Sequence, residues 1–179
     1  MKGEVIMNET IKNLVERRSC RKYSSTQIKE DELNSVLKAG EYAPSGMGRQ
    51  STIMVAVTNK EVRDRLSRLN AECMNSTADP FYGAPVVIVV LADKNAPTHV
   101  YDGALTMQNL MLAADSKGIG SCWIHRAKEV FASEEGKQLL KDWGIEGDYE
   151  GIGNCILGYP AEETPKAKER KANRIYWVK

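Results

Sequence analysis

Along the chain, apolar residues follow two rhythms: one recurs at helical spacing, the other runs unbroken over short stretches. Ile11, Leu14 and Val15 predict a first helix that ends at Arg17. Leu33, Val36, Leu37 and Gly40 line one face of a second. Its first turn carries Glu30, Asp31 and Glu32, acids suited to the positive end of the helix dipole, and Pro44 lies just past its end. Val62, Leu66, Leu69 and Cys73 trace a third helix. From Val100 to Lys117 apolar residues surround most of the helix circumference, which predicts a buried helix stopped by Gly118; its methionines read as core filler. Leu139, Leu140 and Trp143 share one face of a helix capped by Ser133 and closed by Gly144.

The unbroken runs predict strands. Thr52 to Thr58 and Val86 to Leu91 are rich in branched residues, and the second is apolar enough to be covered on both faces; both are expected to be central. Ile119 to Ile124 and Ile152 to Tyr159 add two more. Ser45 to Gln50 and Asn75 to Ala84 read as loops, the first with small residues that allow close backbone approach. After Tyr159-Pro160 the chain turns charged up to Arg174, and Ile175-Tyr176-Trp177-Val178 then returns to strand-like character. At 179 residues and 42% hydrophobic the chain fits one domain over 1–179, with 160–179 as an extended C-terminal arm.

The charge balance narrows the function classes. Formal net charge is +1, so the basic clusters are local features, and a broad nucleic-acid surface is not expected. Cys20, Cys73, Cys122 and Cys155 form no C-x-x-C pair and no ligand spacing with His99 or His125, so neither a metal site nor a disulfide framework is expected. The leading Met1 to Met7 stretch is too short for a signal peptide, and no segment reaches the ~18 apolar residues of a membrane span. The expectation is a cytoplasmic protein without a membrane partner.

Two basic clusters carry the candidate chemistry. Arg17, Arg18, Arg21 and Lys22 crowd together just after the first helix, and Lys166, Lys168, Arg170, Lys171 and Arg174 lie in the C-terminal arm. A single cluster at a helix end is commonly a solvated face. Two of them, with the Ala43–Gln50 and Gly118–Ile124 segments between, suggest one assembled anion site.

In their order and spacing, several segments resemble the nitroreductase family of FMN-dependent oxidoreductases. They are Glu16–Tyr23, Ala43–Gln50, Tyr82-Gly83-Ala84-Pro85, Met107–Leu110, Gly118–Ile124 and Leu157–Pro160. The resemblance implies an α+β, three-layer fold, a central mixed sheet flanked by helices, in an intertwined homodimer with FMN in the subunit interface. Arg17 and Ser19 are then expected toward the phosphate and ribityl chain, Arg18 among the cofactor-binding residues, Arg21 toward the pyrimidine edge, and Lys168 and Arg170 as further phosphate ligands. Pro44, Ser45, Gly46 and Met47 would come from the other subunit and pack along the flavin ring, with Gln50 at its polar edge. Trp123 and Ile124 would cover the buried ring face, and the main chain of His125 and Arg126 would meet the N5 side. Gly48 departs from the pattern, standing where many relatives carry asparagine.

The chemistry agrees with the resemblance. Guanidinium forks satisfy a phosphate dianion with charge-assisted bonds, and a fixed cation such as Arg21 favours reduction of a flavin. No side-chain acid, base or nucleophile is required of the protein. The expected activity is ping-pong hydride transfer through flavin N5, from NADH or NADPH to nitroaromatic, quinone or similar electron-poor small molecules. Alternatives are a specialised flavin reductase or dehalogenase of the same family, or a flavin-binding protein without turnover.

Overall fold

The computed structural model describes residues 7–179, so the leading Met1–Ile6 stretch lies outside the described residues. Four strands form the sheet: β1 (Thr52–Val57), β2 (Val86–Asp93), β3 (Gly120–Ile124) and β4 (Tyr149–Gly158), in the order β1-β2-β4-β3. Every strand pair is antiparallel. The parallel contribution to an expected mixed sheet is one bridge, Ser19 to Ser121, at the β3 edge.

Alternation along β2 builds the layers. Val86, Ile88 and Val90 point into a core closed by α2 (Glu30–Glu41) and α4 (His99–Ser116). Val87, Val89 and Leu91 point into a second core under α3 (Lys60–Glu72), α5 (Ala127–Ala132) and α6 (Glu134–Asp142). Successive side chains on a strand face opposite ways, so a strand covered on both sides must be apolar throughout, and β2 is buried over Val86–Ala92.

Helix signals placed the helices well. Asn8 caps α1 (Glu9–Glu16), Asn59 caps α3 and Ser133 caps α6, each side-chain oxygen accepting an amide of the first turn. Two expectations need correction, and one helix carries no local signal. β1 is an edge strand, since β2 is its only strand partner among the described residues. The short helix α5 has no long periodic run to announce it. In addition, α4 is not covered all round: Val100, Tyr101 and Leu105 are exposed in the isolated subunit, Tyr101 to 72%. Helix α1 also buries none of its residues fully, leaving Ile11, Leu14 and Val15 in solvent.

Beyond Pro160 the chain runs extended and exposed, without helix or strand among the described residues. Ile175–Val178 form no strand pairing with the described residues, and Val178 is 99% exposed. No helix of the described residues is long and apolar enough to cross a membrane.

Candidate functional site

The first basic stretch is woven into the sheet edge. Cys20 N–H donates to the Ser121 carbonyl at 2.9 Å, Ser24 N–H to Tyr159 at 2.8 Å, and Ala161 N–H to Lys22 at 3.0 Å. Tyr23 bridges to Pro160, and its hydroxyl donates to the Cys20 carbonyl at 2.7 Å. Burial, with smaller contributions from Cys20, Cys122 and Cys155, pushes Tyr23 far above the ordinary phenol range, so it stays a neutral donor. A Cβ added at Gly120 would lie 2.7 Å from Cys20 Cβ and 2.8 Å from its Sγ, which shows how closely this stretch is pressed onto β3.

The arginines divide by environment. Arg17 caps the end of α1, and its Nη1 is buried without a hydrogen-bond partner. Ser121 Oγ, on the adjoining strand, is likewise buried and unpartnered. Polar atoms in that state are rare in folded proteins and call for a missing partner. Arg18 instead folds back on the helix, its Nη1 donating to the carbonyls of Val15 (2.8 Å) and Arg17 (2.7 Å). Arg21 is exposed, with Cζ 6.0 Å from the ring centre of Tyr82. Burial pushes the nearby Cys155 thiol up to about 12, reinforced by Cys122 and opposed by Arg17.

The Pro44–Gln50 loop is organised by a residue that the sequence pattern did not single out. Asp102, buried in the first turn of α4, accepts the Gly46 N–H at 3.0 Å on Oδ1, and on Oδ2 the hydroxyls of Ser51 (2.7 Å) and Thr98 (3.1 Å). Burial raises its pKa, but these hydrogen bonds outweigh burial and hold the carboxyl below its ordinary value. Ser45 Oγ accepts the Gln50 N–H at 2.9 Å. Met47, Gly48 and Gln50 all have positive φ, and Gly48, at +66°, is where the missing side chain relieves strain. Met47 stands 88% exposed.

Within one subunit these parts do not meet. The loop hangs from Asp102 near one end of α4, whereas Arg17 lies by Asp115 near the other, whose carboxyl is raised by burial and lowered by Arg17. At 1.5 Å per residue that separation is about 20 Å along the helix. Lys168 and Arg170 lie on the extended arm, with no hydrogen bond or ion pair to the body of the subunit among the described residues; the arm is tied only at its root, by Lys22–Glu162 at 2.8 Å and the Ala161 bond. Trp123 packs toward the α2/α4 core and Ile124 toward the α3/α5 core, so their side chains lie on opposite faces of the sheet.

His125 and Arg126 form the turn into α5, and Arg126 has a left-handed backbone with φ +80°. The His125 carbonyl accepts from Asn70 Nδ2 at 2.8 Å. Asn70 belongs to a buried polar stripe on α3 with Arg63 and Ser67. Arg63, which the helical pattern would set toward solvent, is buried instead. It donates from Nη2 to Asp79 at 2.6 Å and from Nε to the Ala84 carbonyl at 3.0 Å, and Ser67 donates to Asp79 at 2.5 Å. The spacing i, i+4, i+7 of polar residues was the available signal for this stripe.

The sequence model of the nitroreductase family matches residues 14–81 and 72–159. The chain belongs to the nitroreductase family. A nitroreductase with bound FMN from Bacteroides fragilis superposes with a TM-score of 0.89 at 32% identity, covering 97% of this chain and 100% of that one. A second nitroreductase with bound FMN, from Desulfitobacterium hafniense, gives 0.86 at 28% identity, again over 97% and 100%. An NADPH-flavin oxidoreductase of Vibrio harveyi is 28% identical over 92% of this chain and 70% of its own length.

Proposed function

We propose that this nitroreductase-family chain is an FMN-dependent NAD(P)H oxidoreductase, working as a homodimer in which each flavin site takes residues from both subunits. The observation that carries the reading is the separation along α4: the Arg17 cluster and the Pro44–Gln50 loop occupy opposite ends of one helix, so a flat cofactor touching both needs a second copy. The exposed apolar residues Val100, Tyr101 and Leu105 on α4, with the still more exposed Met47 on the loop that Asp102 holds, supply a face for that copy.

The residues present fit the group. The buried, unpartnered Arg17 Nη1 is a ready donor for a phosphate oxygen, and Ser19 and Ser121 adjoin it in the bridge. Lys168 and Arg170 would complete phosphate neutralisation once the arm closes. Arg21 holds a fixed positive charge toward the polar edge of the ring, and Pro44, Ser45, Gly46 and Met47, presented by the Asp102 clamp, pack as the partner's contribution, with Gln50 at their end. Trp123 lines the α4 side, and the His125–Arg126 main chain borders the reacting edge. FMN held there would supply hydride transfer from NAD(P)H to an oxidised acceptor. The chain's part is binding, orientation and electrostatics, with Tyr23 and Cys155 held in their protonated, neutral forms by burial. The two substrates use one face in turn, which gives ping-pong kinetics, with nitroaromatics or quinones as acceptors.

Ile175–Val178 docks on the partner as an added strand, which removes two aromatic rings from water. The test is direct. Protein reconstituted with FMN should sediment as a dimer, show flavin absorbance, and oxidise NADH or NADPH with parallel double-reciprocal plots against a quinone. A colourless, monomeric protein rejects the reading. Deleting residues 175–179 should lower flavin occupancy and dimer stability together; an unchanged dimer with full occupancy removes the tail from the interface.

A further inference from the structure

Asn70 is fully buried in α3, yet only half of its amide is bonded. Its Nδ2 donates to the His125 carbonyl at 2.8 Å, while Oδ1 is buried with no partner. The orientation is fixed by chemistry, because the reverse flip would set oxygen against oxygen. A buried amide kept in a half-satisfied state marks a position held for something other than packing.

What it holds is a backbone carbonyl just before a strained residue. Arg126 has φ +80°, in the region that side-chain-bearing residues seldom enter, and it opens α5 as its N-cap. Its carbonyl accepts the Val130 N–H at 3.0 Å, and its guanidinium pairs with Glu129 at 2.6 Å. Those two contacts secure the helix side of the turn. Asn70 secures the strand side. Among the described residues neither the His125 nor the Arg126 N–H donates in a turn or cap, so the turn presents free main-chain donors.

We propose that Asn70 is the positioning residue for this turn. Through the His125 carbonyl it keeps Arg126 in the left-handed conformation and so fixes the direction of the main-chain donors at 125 and 126. Its consequence for the cofactor rests on the flavin reading above, in which these amides border the reacting edge. The residue itself touches neither cofactor nor substrate.

The test separates positioning from bulk stability and from flavin binding. Amide hydrogen exchange is measured on the full-length protein, with and without FMN, over residues 121–130 and over β2 as a control. In Asn70→Ala, exchange at Val130, whose N–H donates to the Arg126 carbonyl, should rise about fivefold to tenfold, the value of one hydrogen bond, with β2 unchanged. Adding Arg126→Gly should return it to within about threefold of the parent, because glycine enters positive φ without the steric cost. Asn70→Leu keeps roughly the size and removes the donor, and is read in the same way should alanine not fold. An equal rise in β2, no rise at Val130, or no restoration by glycine overturns the proposal. With FMN present, the alanine variant should hold the cofactor about threefold to tenfold more weakly, and the double variant should recover it. If the parent protein binds no FMN, the flavin reading fails while the exchange measured without FMN still decides the role of Asn70.

Discussion

The two basic clusters have similar composition and opposite fates. Arg17–Tyr23 is fastened to β3 and to the end of β4 by main-chain bonds at Cys20, Lys22 and Ser24, and the guanidinium of Arg17 is driven partly out of water. Lys166–Arg174 has no such bonds and lies in solvent. Charge is therefore not what makes a cation part of a site. A tied backbone places a charge where it loses water, and only a desolvated charge is short of a partner. The arm can acquire that state only by closing onto something.

Four experiments sharpen or break this comparison. The largest effect should come from Gly120→Val, which drives a branched side chain into Cys20 and loosens the tied stretch. It should destabilise the fold by about 3 kcal/mol, read from the urea midpoint. A wild-type midpoint would mean the stretch is not held against β3. Next, Arg17→Ala should weaken FMN binding about tenfold to a hundredfold, through loss of a charge-assisted contact of roughly 1.5–3 kcal/mol. Equal affinity for the variant and the parent, by fluorescence titration, would place the phosphate elsewhere.

The third experiment is an acid titration of stability. Asp102 has a folded pKa below its unfolded value near 3.9. Its contribution is then complete above that unfolded value and is lost as pH falls through the lower, folded one. Asn at 102 should flatten this part of the profile and cost about 1–2 kcal/mol at neutral pH. A profile that keeps its acid limb unchanged would show that Asp102 does not carry it. The smallest effect is expected from Lys22→Ala, which removes the exposed Lys22–Glu162 pair at the root of the arm. The urea midpoint should not move, since exposed pairs contribute little; a clear drop would show that the arm is anchored through this pair.

Most element types were legible because local pattern is a local property. Asn8, Asn59 and Ser133 cap helices, Gly118 and Gly144 end them with positive φ, and the unbroken Val86–Leu91 run is the strand covered on both faces. The family was legible too, because its motifs are short runs whose order survives without a structure. The sequence did not reveal that β1 is an edge, because a run of branched residues carries no information about how many neighbours it will have.

Site geometry followed the same division. Arg17, Ser19 and the Pro44–Gln50 loop could be named from letters, but their separation across α4 could not, because it depends on which end of a helix each segment packs against. Asp102 and Asn70 look like ordinary polar interruptions in helices. Each acquires its role from a carbonyl or amide 55 or 56 residues away, and such long-range pairings exist only once the chain is folded. The sequence by itself determined where all the helices but the short α5, and all the strands, form, which cations are available and which family the chain belongs to. The tertiary structure alone decided which of those cations are desolvated, which apolar faces stay uncovered and which buried polar groups hold the turns, because burial is a property of the assembled layers.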